Sequence, residues 1–175
     1  MRYLGIDPGK SGALALLDES MSVLSFVRTR DLHDAVGYAR AIHGVVARHG
    51  AITLAALELT STRPGQGVSS MHEYGRTAGW WEGILCAFAI PHVLVTPQRW
   101  QKAVFDSRGR KDTKTHSLET ARRMFPQFAE QLGAKDDGLA DALHLARYAG
   151  VVQQPQSAIR RGDCARGGPR TSCAG

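Results

Sequence analysis

The run Ile52–Leu59, "ITLAALEL", offers no polar face until its end. A strand that is apolar on both faces must be covered on both faces, so this run predicts a central strand between two helical layers. Three shorter apolar runs precede it, Tyr3–Asp7, Gly12–Leu17 and Val23–Thr29. Their connections, around Pro8-Gly9 and Glu19–Ser22, are too short for crossover helices, so they predict an antiparallel meander. Between meander and central strand, Asp31–His49 carries Leu32, Val36, Ala39, Ile42 (or His43) and Val46 at helical spacing and stops at Gly50. Downstream come a long helix over about Ser70–Ala89, a strand His92–Pro97 and a short helix opened by Pro97. A helix Asp112–Phe125, closed by Pro126, follows, and the last helix runs from Asp137 to Tyr148 with Leu139, Ala142, Leu143 and Ala146 inward. The predicted class is α/β: a five-stranded mixed sheet, its first three strands antiparallel and the fourth and fifth parallel, with helices on both faces.

Residues 1–152 form one expected domain, and 153–175 turn to Gln, Pro, Gly, Arg and Ser without periodicity, which predicts a basic, disordered tail. An apolar content of 43% is that of a globular chain, and no apolar run reaches the ~18 residues of a membrane span. The start, "MRYLGID", passes straight into a strand without a signal-like leader. Three scattered cysteines supply neither a disulfide framework nor a zinc site, so a reducing cytoplasm is the expected location. The net charge is +6, and the segment from Thr96 to Arg123 is the basic part of the body. Clustered positive charge points to a polyanionic partner.

Two strands end in an acid: Asp7 closes the first and Glu58 the fourth. Asp7 alone has a plain explanation in the Asp-Pro-Gly turn. If the first and fourth strands are adjacent and parallel, however, both carboxylates emerge at one edge of the sheet. The final helix adds Asp137 and Asp141, four apart on one face, with Asp136 as an alternative to Asp137 or as a cap. Asp7, Glu58, Asp137 and Asp141 make an all-oxygen donor set suited to two Mg2+ ions, with Mn2+ as a substitute. Such an ion pair is the usual device for in-line displacement at a phosphate.

Along the Ser70–Ala89 helix, Met71, Tyr74, Ala78, Trp81, Leu85 and Phe88 make one apolar stripe, while Gly75, Gly79, Gly83 and Ala87 make a smooth second one. Glycine costs a helix about 1 kcal/mol relative to alanine. Three in register therefore imply close backbone approach by the sheet, another helix, nucleic acid or a partner subunit.

Four blocks, "YLGIDPGKSGALAL", "ALELTSTRPGQGVSSMHEYGRTAGWWEGIL", "VTPQRWQK" and "KDDGLADALHLARY", resemble the RuvC-type Holliday junction resolvases, especially their compact phage-like branch. The resemblance spans about residues 1–150 in order. It implies an RNase H-like fold, a homodimer, two divalent ions per site and paired nicking of four-way DNA in a bacterial or phage-infected cell. Asp7, Glu58 and Asp141 match the family's acids, and Asp137 matches the one that precedes the last. In the best-known bacterial members these two acids are three residues apart, which lands on Gly138, whereas the phage-like spacing of four lands on Asp137. The resemblance also implies DNA contacts at Arg63, Gln66, Gly67, Ser69, Ser70 and Arg76, with Val68 and Met71 the nearest choices for a junction wedge. It places phosphate-neutralising or catalytic lysines at Lys111 and Lys114, Lys114 being preferred. His144, three residues beyond Asp141, is read as packed or solvated rather than catalytic.

Four competing functions use overlapping features, one of them a nuclease for other branched or phage replication DNA, whose site chemistry is identical. "GIDPGKSG" is similar to the first phosphate loop of sugar kinases and actin-like ATPases, but those need about twice this length and a second phosphate loop. A ribonuclease for RNA–DNA hybrids would use the same four acids, and a junction-binding protein would not need all of them.

Overall fold

The computed structural model describes residues 1–59, 67–105 and 113–153. Strands β1 (Arg2–Asp7), β2 (Ala13–Asp18), β3 (Val23–Arg28), β4 (Leu54–Glu58) and β5 (His92–Val95) form one sheet in the order β3-β2-β1-β4-β5. β1 pairs antiparallel with β2 and parallel with β4, β2 pairs antiparallel with β3, and β4 pairs parallel with β5. The mixed sheet is the predicted one, with β4 between two parallel neighbours as its apolar sequence requires.

Helices α1 (Ala35–His49) and α2 (Val68–Ala87) cover one face, and α3 (Pro97–Val104), α4 (Thr113–Met124) and α5 (Asp137–Gln153) the other. The period-2 alternation of side chains assigns the strand residues to these layers. Leu4, Ile6, Ala55 and Leu57 pack with Tyr38, Ile42, Trp81 and Leu85. Tyr3, Leu54 and Ala56 pack with Trp100, Leu145 and Tyr148 on the opposite face. α5 is buried nearly all round and crosses β1 at the centre of the sheet. Gly5 makes this crossing possible: a Cβ there would lie 2.0 Å from the Ala142 carbonyl oxygen and 2.2 Å from the Ala146 amide nitrogen.

Several boundaries differ from expectation for identifiable reasons. α1 starts at Ala35 because Asp34, not Asp31, caps it, its Oδ1 accepting from the Gly37 amide at 2.8 Å. Thr29–Asp31 instead forms a single 3-10 turn, and Val36 is exposed, its inward place taken by Tyr38. α2 begins two residues early, at Val68. A 3-10 segment, Pro126–Gln131, follows α4, and α5 runs past Tyr148 to Gln153. Among the described residues the glycine stripe is not packed against: α2 turns Trp81 and Leu85 inward, and a Cβ on Gly75, Gly79 or Gly83 would meet none of them within 4 Å. The expected tail lies outside the described residues, except Gln153, which ends α5. Among the described residues, no helix is long and apolar enough to cross a membrane.

Candidate active site

Alternation along two strands carries the first two acids to the same place. On β1, Tyr3, Gly5 and Asp7 share a face, and on β4 so do Leu54, Ala56 and Glu58. That face is the one covered by α5. The parallel register pairs Ile6 with Leu57, so Asp7 and Glu58 follow side by side at the C-terminal ends of their strands. α5 then delivers Asp137 from its first turn and Asp141 one turn later.

The electrostatics join all four. Burial, followed by the negative charge of Glu58, pushes the Asp7 carboxyl up from its ordinary value of 3.8 to about 8. Asp141 and Asp137 push in the same direction, opposed by the Gly9 amide, which donates to Asp7 Oδ1 at 2.9 Å. The Asp-Pro-Gly turn thus orients this carboxylate through its own backbone.

Two neighbours fix the outer acids. Trp100 Nε1 donates to Glu58 Oε2 at 2.7 Å, and Ser117 Oγ donates to Asp141 Oδ1 at 2.5 Å. His144 lies beneath them, fully buried, its ring stacked on Trp100 and its Nε2 3.0 Å from the Ser117 carbonyl oxygen. Because a carbonyl only accepts, Nε2 carries the proton. Burial, first among its causes, lowers this imidazole to about 4, so it is neutral and packed, as expected from the sequence.

Asp136 and Asp137 have separate tasks. Asp136 receives Arg28 in a two-point ion pair, Nε to Oδ1 at 2.8 Å and Nη2 to Oδ2 at 3.1 Å, and also accepts from the Gly133 amide. The side-chain hydrogen bond from Arg28 holds its carboxyl below the ordinary value. Asp137, by contrast, acts on Asp7 and lines a cleft of about 590 Å³ with Ser11, Thr115, Leu118, Arg122 and Lys135.

The remaining candidates are dispersed. Gly67, Ser69 and Ser70 are exposed at the start of α2, as is Val68, while Met71 is partly covered. Tyr74 anchors that end of α2 near the acids, its hydroxyl 3.4 Å from the Glu58 carbonyl oxygen. Arg76 lies farther along, bound to Glu73 at 2.6 Å and stacked over Trp80 at 4.9 Å. Arg63, Gln66 and Lys111 lie outside the described residues; Lys114 falls in the first turn of α4, but its side chain lies outside them too.

The donor set suits a hard divalent ion: four carboxylates, three of which raise the fourth, leave an excess of negative charge that a cation would relieve. Among the described residues, no group of three or more acidic, histidine or cysteine side chains is gathered as a metal cage. Sequence reasoning missed Trp100 and Ser117. A tryptophan in the otherwise polar "PQRWQK" was a usable signal for the first, and nothing local marks the second.

No family model and no curated protein matches the sequence. Solved structures do match. The chain superposes on RuvC of Thermus thermophilus in complex with a Holliday junction substrate with a TM-score of 0.60 and 18% identity, covering 85% of this chain and 91% of that one. A second T. thermophilus RuvC structure gives a TM-score of 0.60 at 17% identity, over 85% and 92% of the two chains. The fold is RuvC-like. The RuvC-like core, an RNase H-like α/β sheet, spans nearly the whole described chain, and the four acids lie at one end of it.

Proposed function

We propose that this chain is a metal-dependent endonuclease that resolves four-way DNA junctions as a homodimer, making paired nicks on two opposing strands. The observation that carries the reading is the electrostatic coupling of Asp7 to Glu58, Asp137 and Asp141, from three elements, at the end of a RuvC-like sheet. The junction substrate bound by the T. thermophilus protein supports four-way DNA as the ligand. Arg122 and Lys135 in the cleft beside Asp137, with Lys111 and Lys114 in the basic block, supply charge suited to a phosphate backbone.

In this mechanism the four carboxylates would hold two Mg2+ ions, for which Mn2+ would substitute. When bound, the ions supply the Lewis acidity that ionises water and offsets charge on the departing oxygen. Asp7, coupled to the other three acids, would hold the ions together with them, and the Gly9 amide orients its carboxylate. A water oxygen forms the new bond to phosphorus as the bond to the 3′ oxygen breaks, leaving 5′-phosphate and 3′-hydroxyl ends. The loop and α2 residues Arg63, Gln66, Gly67, Ser69 and Ser70, with Arg76, contact the junction. Two-fold symmetry places two such sites on opposing strands.

Cleavage of a synthetic four-way junction, beside linear duplex and RNA–DNA hybrid of matched sequence, tests this. Paired symmetric nicks in the junction alone, lost with EDTA and in Asp7→Asn, are expected. Preferential cutting of the hybrid would make it a ribonuclease, and tight junction binding without cutting would make it a binding module.

A further inference from the structure

Glu58 and Asp141 belong to different elements, a strand end and a helix, yet each has an oxygen held by a donor from the buried side. Those donors sit on α3 and α4, which supply no acid to the site. From this geometry we infer that Trp100 and Ser117 are positioning residues that set the two outer carboxylates for divalent-ion binding, an inference resting on the metallonuclease function proposed above.

Trp100 is fully buried, with its ring stacked on His144 at 6.1 Å between centroids and 19° between planes, and edge-on to Phe105 at 5.5 Å. The indole therefore cannot swing away from Glu58. Its N–H occupies Oε2 at 2.7 Å and leaves Oε1 as the oxygen not held by it. Ser117, 3% exposed, donates through its hydroxyl to Asp141 while its carbonyl accepts from His144. One ring, His144, thus packs against the first donor and bonds the backbone of the second. The two acids are braced by a single buried unit, so their separation follows the docking of α3 and α4 on α5.

Burial alone does not account for the Trp100–Glu58 bond. Trp81 is equally buried in the opposite layer, and its Nε1 has no hydrogen-bond partner among the described residues. This core accommodates an indole without an acceptor, so the carboxylate opposite Trp100 is a specific pairing. Hydrogen-bond partners that orient metal-binding side chains typically govern metal affinity by about 10–100-fold.

The test uses the full chain and counts bound Mn2+ by electron paramagnetic resonance, independently of cleavage. Wild type is compared with Asp7→Asn, Trp100→Phe, Ser117→Ala and Ser117→Thr, each checked for folding by circular dichroism. Trp100→Phe keeps the stacked ring and removes the N–H, and Ser117→Thr keeps the hydroxyl. Mn2+ affinity is expected to fall about 10–100-fold in Trp100→Phe and Ser117→Ala and to return to near wild type in Ser117→Thr. The Mn2+ concentration for half-maximal junction cleavage should rise by the same factor. Affinities within twofold of wild type in both variants would overturn the positioning role and leave the nuclease function standing. Wild type that binds no more Mn2+ than Asp7→Asn would overturn the metal-dependent function and this inference together. If Trp100→Phe does not fold, the indole N–H resonances of the wild-type chain decide for Trp100. One of the three should shift on addition of Mg2+ while the others stay, and three unmoved resonances would overturn its role.

Discussion

A Cβ at position 138 would lie 2.2 Å from the Ser11 carbonyl oxygen and 2.6 Å from the Gly12 Cα. α5 begins pressed against the turn between β1 and β2, and that contact leaves no room for a side chain three residues before Asp141. Position 138 therefore cannot carry an acid here, and the proposed ligand Asp137, one position earlier, can. Gly138→Ala is expected to destabilise the fold by about 1–3 kcal/mol, measured by urea unfolding, because neither contact is a flexible side chain. Asp7 gives a second prediction at this scale. Its carboxyl ionises near 8 in the metal-free fold and near 3.8 when free of it. Between those values the folded chain keeps a proton that the unfolded chain releases, so this residue's stabilisation is fully present below about pH 4 and is lost as pH rises toward 8. His144, lowered to about 4, contributes the opposite slope between about 4 and 6.5, so the comparison must isolate Asp7. The difference in unfolding free energy between Asp7→Asn and wild type, both in EDTA, should therefore increase from pH 5 to pH 8 in favour of the variant. A flat difference would mean that Asp7 is ionised throughout.

Among the elements, α2 is the one whose surface remains unexplained by its own chain. Gly75, Gly79 and Gly83 face open space, and glycine's cost to a helix makes three of them at one spacing unfavourable if only solvent faces them. A second copy packing along this smooth ridge accounts for them and fits the proposed homodimer. Gly79→Leu, at a position where a Cβ meets nothing within 4 Å among the described residues, should keep or slightly raise the unfolding midpoint of the monomer and weaken self-association at least tenfold by analytical ultracentrifugation. Unaltered association would move the interface elsewhere. The same helix shows where sequence stops being informative. Its periodicity reveals that Trp81 and Leu85 point inward, but a smooth stripe looks alike whether its neighbour is the sheet or another molecule. The strands were far more legible, since alternation alone puts Asp7 and Glu58 on one face and the apolar β4 at the centre of the sheet. Asp136 and Asp137 could not be separated in the same way. Their roles depend on Arg28, which lies 108 residues from Asp136 in the chain and reaches it only once β3 and α5 have docked. The carboxylate partners of Trp100 and Ser117 were hidden for the same reason, lying 42 and 24 residues away.

Along the whole chain, the proposed acidic site and the excess positive charge fall in different segments. The four acids belong to the folded core, whereas Arg160, Arg161, Arg166 and Arg170, against Asp163, carry half of the net +6 outside the described residues. Cleavage and non-specific adhesion to DNA are therefore expected to separate physically. Removing residues 154–175 leaves every carboxylate of the site, together with Trp100, Ser117 and all of α5. Such a truncated chain should cut a four-way junction at low salt within about twofold of the full-length rate. Its affinity should respond less to salt. Each phosphate that the protein neutralises releases a counterion and adds about 0.9 to the steepness of log K against log salt on duplex DNA, and a chain without the tail neutralises fewer of them. If the tail arginines contact phosphates, the slope will flatten by about 1–3 units. An identical slope would mean that the tail makes no phosphate contact and that the body's basic block, from Thr96 to Arg123, carries the electrostatic attraction alone. Loss of cleavage at low salt, with the slope unchanged, would instead give the tail a part in building the active dimer.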